Sequence, residues 1–181
     1  MCDYEKFLKD FDEVLKLLFE HQKKYIKCKK GCSLCCEKGD YPMSQLEFSY
    51  LTKGYLNLSA ETKSIVQKNF KQVINDVNIG LCEHRCPFLI NNECCVYDYR
   101  PIICRTFGVC YYDDTKNYVR LPDCVNFKLN YSDFYDIETK TLNIDDVPKI
   151  NLRIDKVLNS ELAKKYSLYA GEIRPMAKWI S

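Results

Sequence analysis

Cys28-Lys29-Lys30-Gly31-Cys32-Ser33-Leu34-Cys35-Cys36 is the stretch on which the reading of this chain turns. It puts four cysteines into nine residues, beside two lysines and a glycine. Spacings of two or three residues let a tight turn direct several sulfurs at one point, and Gly31 permits the positive φ such a turn often needs. Burial as a small hydrophobe is the better account of an isolated cysteine such as Cys2 or Cys110. It does not account for this density. A second cysteine-rich stretch lies about fifty residues later, with Cys82, Cys86-Pro87, Cys94-Cys95, Cys104-Arg105 and Cys110, and Cys124 further on. A closed zinc finger would offer two separate two-residue knuckles, and only Cys32 and Cys35 have that spacing. The expectation is therefore that the two loops meet around shared metal, with Cys32, Cys35, Cys36, Cys86, Cys94 and Cys104 lying together.

Working outward, the segment before the first cluster reads as an amphipathic helix from Asp3 to Lys27. Phe7, Phe11, Val14, Leu15, Leu18 and Tyr25 recur at three- and four-residue steps, and Gln22 alone breaks the stripe. After the cluster, Ser44-Gln45-Leu46-Glu47 is a capping-box pattern, and Gly54 suits the end of the helix it starts. Ser59 can cap a further helix to about Asn78, with Val66, Phe70, Val73 and Val77 on its face and Gly80 just past its end. Leu81 to Cys110 reads as irregular. Val109–Tyr112 and Tyr118–Leu121 alternate weakly around Asp113-Asp114-Thr115-Lys116-Asn117, as a short hairpin would. Asp136–Lys149 is ambiguous between strand and loop. Leu152–Tyr166 reads as a last amphipathic helix, succeeded by a tail carrying the only tryptophan, Trp179.

These elements predict one mainly α domain over 1–181, a small helical domain enclosing two cysteine-rich metal-binding loops, with a minor β-hairpin. At 181 residues such a chain buries roughly 70% of its unfolded surface, so its core can exist without cross-links. The loops lack apolar periodicity. A metal centre can order them, because its binding free energy is folding free energy.

The composition narrows the setting. Twenty-seven basic side chains balance 25 acidic ones, a net +2, which gives no electrostatic reason to expect nucleic acid or an anionic membrane as partner. The first residues, Met-Cys-Asp-Tyr-Glu-Lys-Phe-Leu-Lys-Asp, have no basic region leading into an apolar one, so no signal peptide is expected. No apolar run approaches the roughly 18 residues of a membrane span. The expected compartment is the cytoplasm, whose reducing conditions keep thiols free for metal or redox chemistry.

The run Cys32-x-x-Cys35-Cys36, then Cys86-Pro87-x-Leu89, then Cys94-x-Val96-Tyr97-x-x-Arg100-Pro101-x-x-Cys104-Arg105-x-Phe107 resembles the CxxCxxCC proteins, the YkgJ-like cysteine-cluster family of zinc- or iron-chelating domains. The resemblance spans about Cys28 to Cys124. It implies metal ligands at Cys28, Cys32, Cys35, Cys36, Cys86, Cys94 and Cys104, with Cys124 an eighth. One departure stands at Cys28, which three residues rather than two separate from Cys32. Arg100 and Arg105 would sit close to thiolates, where a guanidinium lowers the cost of their negative charge. Pairing with carboxylates such as Asp98 is the plainer alternative. Tyr97 reads as a packing residue and His21 as a surface one. His84, between Cys82 and Cys86, could ligate through a ring nitrogen, but it lies outside the family pattern and reads as solvent-facing.

The metal stays open at this level. The single knuckle, the dispersed second cluster and Cys86-Pro87 lean towards an iron–sulfur cluster, and two zinc ions sharing eight cysteines fit the count equally well. Such a protein would act in metal handling, in redox chemistry or as accessory to a protein partner. The alternative is a metal-dependent enzyme on a protein or small-molecule substrate, because a related cysteine domain occurs, by resemblance, in a flagellin lysine methylase. Cys28-x3-Cys32-x2-Cys35 also equals the radical S-adenosylmethionine spacing, but a long helix precedes it and no alternation of strands and helices comes after it.

Overall fold

The computed structural model describes residues 2–29, 31–39 and 41–180, so Lys30, inside the first cysteine stretch, lies outside the described residues. Helix α1 runs over Asp3–His21 and buries Tyr4, Phe7, Leu8, Phe11 and Leu15. The predicted helix extended to Lys27. It stops early because Gln22 leaves helical geometry, and a 3-10 turn over Lys23–Tyr25 comes next. Gln22 is itself fully buried, its amide donating to the Cys110 carbonyl (3.0 Å) and accepting from the Cys110 N–H (2.9 Å). What looked like a flaw in an apolar stripe is a polar anchor.

Next come α2 (Leu34–Glu37) and β1 (Pro42–Ser44), then α3 (Gln45–Leu56). The capping box forms as predicted: Ser44 Oγ accepts from the Glu47 N–H at 3.2 Å, and the Glu47 carboxylate accepts from the Ser44 N–H at 2.8 Å. Gly54 does not end α3. The helix passes through it, and a Cβ there would stand 2.5 Å from the Tyr99 ring, so the glycine serves a close approach. Helix α4 (Ala60–Asn78) is capped by Ser59 and buries Val66 and Val73.

The stretch expected to be irregular contains a two-stranded turn. β2 (Leu89–Ile90) pairs with β3 (Glu93–Cys94), and Asn91 and Asn92 between them both take positive φ, at 50° and 62°. Two positive-φ residues match the twist of the strands they join, and asparagine tolerates them. Helix α5 (Ile102–Thr106) is next. The predicted hairpin is present as β4 (Tyr111–Asp113) and β5 (Tyr118–Arg120). The ambiguous segment holds a small pair, β6 (Tyr135–Asp136) with β7 (Thr141–Leu142), and is otherwise irregular.

The last predicted helix is two: α6 (Ile154–Leu158) and α7 (Glu161–Lys165). Asn159 closes the first, and Ser160 accepts from the Ala163 N–H at 3.2 Å to start the second. A local cap outcompetes continuation of a helix this short. The tail carries β8 (Ile173–Pro175), antiparallel to β1, and α8 (Ala177–Ile180).

Chain contacts divide the protein into two compact units. The first joins Met1–Lys30 to Arg105–Leu168. Its core packs Tyr25, Cys110, Val125 and Tyr131. The Asn130 side chain ties this unit's loops, accepting from the Lys27 and Cys28 N–H groups and donating to the Gly108 carbonyl at 2.8 Å. The second unit joins Gly31–Cys104 to Tyr169–Ser181, around Met43, Leu51, Val66, Phe88, Val96 and Met176. Trp179 closes that core, stacking on Phe48 and donating its indole N–H to the Met43 carbonyl at 3.1 Å. The fold is thus mainly α with small β pairs.

Candidate metal centre

The two cysteine loops of the second unit are joined through their backbones. The Cys86 N–H donates to the Cys36 carbonyl at 2.7 Å, and the Gly39 N–H donates to the His84 carbonyl at 3.1 Å. Residues about fifty apart in sequence are thereby laid side by side. On the first loop, α2 carries Cys35 and Cys36, whose sulfurs are 4.0 Å apart, and the Tyr41 hydroxyl donates to the Cys35 carbonyl. On the second, the chain turns at Cys86, whose carbonyl takes the Leu89 N–H at 3.1 Å. Asn69 of α4 fixes the turn by donating to the Pro87 carbonyl at 2.9 Å. Cys94 stands opposite Leu89 in the β2–β3 pair, and Cys86, Cys94 and Cys95 pack on the unit's apolar core. Cys104 comes from α5.

Four of these thiols feel one another's charge. Burial pushes the Cys86 thiol up to about 12, with Cys36, Cys94 and Cys95 adding to the rise. Burial raises Cys104 well above the usual thiol value, and Cys86, Cys36 and Cys94 raise it further. Cys94 is raised by burial and by Cys36. Cys36 goes the other way, from 9.0 to about 7, because Cys35 hydrogen-bonds to it and Arg100 attracts its anion. Arg100 also opposes the rise at Cys94 and Cys104. Its guanidinium stacks 3.5 Å from the Tyr97 ring centroid and its Nε donates to the Tyr97 carbonyl at 3.0 Å. Tyr97 is exposed rather than packed in the core, and its ring carries the Arg100 guanidinium.

Protons are a poor match to such a group of thiols, because each anion formed makes the next harder to form. A cation inverts that logic. Soft sulfur donors fit zinc or iron. Among the described residues, no three cysteine, histidine, aspartate or glutamate side chains already converge as a finished coordination sphere. The donor chemistry fits a metal centre.

The remaining candidates have other surroundings. Cys32 is exposed on the first loop of the second unit. Cys28, Cys124 and Arg105 belong to the first unit. Exposed Cys28 has its N–H bonded to Asn130, and its sulfur is 4.0 Å from where a Cβ on Gly108 would stand. Cys124 is buried in a 3-10 turn over Asp123–Phe127. Arg105 holds Asp12 through Nη1, at 2.7 and 3.0 Å from the two carboxylate oxygens. Cys110 is buried, as an isolated cysteine was expected to be, whereas Cys2 is exposed at the start of α1. Among the described residues no disulfide joins any of the twelve cysteines.

His21 is exposed, 3.4 Å from Asp146. The solvent-facing reading of His84 is corrected: it is 4% exposed, because the pairing with Gly39 draws its segment inward. Sequence reasoning also missed that Glu47 reaches beyond its own helix, its Oε1 accepting from the Ile102 N–H at 2.7 Å. The capping-box motif marked the residue but not that partner. No helix among the described residues is long and apolar enough to cross a membrane.

The profile of the CxxCxxCC family, described as "Putative zinc- or iron-chelating domain", matches residues 27–133. No curated protein and no solved structure matches the chain.

Proposed function

The chain belongs to the CxxCxxCC family of zinc- or iron-chelating domains, and from that premise we propose that its second unit holds the metal through Cys36, Cys86, Cys94 and Cys104. Cys32 and Cys35 supply further thiols on the same loop; Cys28 and Cys124, which family resemblance also implies as ligands, belong to the first unit. One observation carries the reading: those four thiols, from four separate segments of the chain, lie within one another's electrostatic reach, and Cys36, Cys94 and Cys104 also lie within that of Arg100.

The chain's own groups divide the work. The thiols surrender protons to bind, so metal uptake releases protons and strengthens as pH rises. Arg100 offsets the negative charge of the thiolates, and the Cys36–Cys86 backbone bond sets the spacing of the two loops. Bound zinc would order the loops, and an iron–sulfur centre would add one-electron chemistry. The dispersed cysteines and Cys86-Pro87 favour the iron–sulfur centre. In a cytoplasmic setting the protein would serve metal handling, redox chemistry or a protein partner.

The test is to purify the full chain without oxygen and measure iron, zinc, acid-labile sulfide and the visible spectrum. Stoichiometric iron with sulfide and a broad visible absorption assigns the cluster, and stoichiometric zinc without either assigns zinc. Cys94→Ser and Cys104→Ser should each lose most of the metal. Background metal in the unsubstituted protein sinks the proposal.

A further inference from the structure

Glu47 is fully buried. A carboxylate withdrawn from water is costly unless hydrogen bonds compensate it. Glu47 has them on both oxygens. Oε2 accepts from the Ser44 N–H and the Ser44 hydroxyl, each at 2.8 Å. Oε1 accepts from the Ile102 N–H at 2.7 Å, across 55 residues of sequence. Ser44 is the cap of α3, and Ile102 is the first residue of α5. A single side chain therefore satisfies backbone donors at the starts of two helices, donors that a helix cannot satisfy itself.

The reach to Ile102 matters because Cys104 stands only two residues further on, in the same short helix, with its own N–H on the Pro101 carbonyl at 3.0 Å. An isolated five-residue helix has almost no stability of its own. Something outside it must set where it begins. The geometry points to Glu47 as a positioning residue of the metal site: its carboxylate anchors the start of α5 to α3 and so fixes where Cys104 presents its sulfur to Cys36, Cys86 and Cys94. This inference rests on the metal reading of those thiols. It adds a residue that carries no sulfur and lies outside both cysteine loops.

Ser44 supplies the control. Ser44→Ala removes the hydroxyl that Glu47 and the start of α3 share, but leaves Oε1 on Ile102. Glu47→Gln keeps the shape and replaces one acceptor oxygen with N–H donors, so the Ser44 and Ile102 N–H groups are left with one acceptor oxygen between them. The probe is Co2+ added without oxygen to the metal-free full chain, read by its thiolate charge-transfer absorption. Groups that orient ligands cost about 10–100-fold in metal affinity when altered. Glu47→Gln is expected to weaken Co2+ binding by about tenfold or more and to change the charge-transfer band, with Ser44→Ala within about twofold of the unsubstituted protein.

Equal affinity and an unchanged band in Glu47→Gln overturn the role. So does an equal loss in both variants, which would make the carboxylate only a cap for α3. No thiolate band in the unsubstituted protein sinks the metal reading itself, and the role of Glu47 with it. Should Glu47→Gln not fold, hydrogen exchange of the unsubstituted, metal-free protein decides. The anchor requires an Ile102 amide as protected as that of Leu51 in α3, and exchange at an open-loop rate overturns it.

Discussion

Cys110 in the first unit and Cys86 in the second are both withdrawn from water, and burial raises both thiols, to about 11 and about 12. Their surroundings differ in kind. Cys110 sits among Tyr25, Val125 and Tyr131, with its backbone groups held by Gln22 and Tyr131. Neutral dipoles and apolar rings meet every need of that residue, and its thiol behaves as a small hydrophobe. Cys86 is raised further by three other cysteines, and Arg100 acts on the same group at Cys36, Cys94 and Cys104. Burial alone makes cysteine a packing residue. Burial among other thiols, beside a fixed cation, makes a group whose charge a metal would settle.

The comparison breaks most visibly on metal removal. Helices α1, α3 and α4 have apolar faces of their own, whereas residues 31–39 and 81–104 depend on the centre for order in this reading. Chelation, or Cys36→Ser, should speed protease cleavage in those two stretches by at least about tenfold while α1 stays resistant. Helical circular dichroism should fall only in part. Limited proteolysis with mass spectrometry checks this, and loops that stay protected without metal would make their thiols packing residues like Cys110.

A smaller effect tests the first unit. Gln22→Ala removes the buried amide that serves both backbone groups of Cys110, leaving a cavity and unsatisfied polar atoms. The expected cost is about 3 kcal/mol of stability, read by urea unfolding, with metal content per folded molecule unchanged. Loss of metal alongside stability would show that the two regions do not divide the work as described.

The smallest effect at neutral pH comes from titration, and its sign differs between the units. Cys110 has a folded value of about 11, above the ordinary 9.0. Its contribution is fully present below about pH 9 and is lost as pH rises through 11. Cys36 is lowered to about 7, so its contribution is present above about pH 9 and is lost as pH falls through 7. In metal-free protein, the melting-temperature gap between unsubstituted chain and Cys36→Ser should widen from pH 7 to 9. The gap to Cys110→Ala should stay flat there and narrow only above it. A gap for Cys36→Ser that ignores pH would remove Arg100 and Cys35 as the cause of its shift.

The capped starts of α3 and α4, the apolar face of α1, the β4–β5 hairpin and the density of cysteines were all legible in the sequence. Each depends on residues within about ten positions of one another, so helical periodicity, caps and turn chemistry expose it directly. The Asn91-Asn92 turn had a readable signal too, masked by the surrounding cysteines. Only the tertiary structure decided that Gln22 points into a core, that Gly54 admits Tyr99, and that His84 is buried. It also broke the Leu152–Tyr166 helix at Ser160 and paired β1 with β8. For the site, the sequence showed two stretches dense in cysteine, whereas the Cys36–Cys86 backbone bond and the reach of Glu47 to Ile102 emerged from packing. Those contacts join segments about fifty residues apart. No local pattern encodes such a partner, because the choice is made by the complementary surfaces of elements that meet only after each has formed.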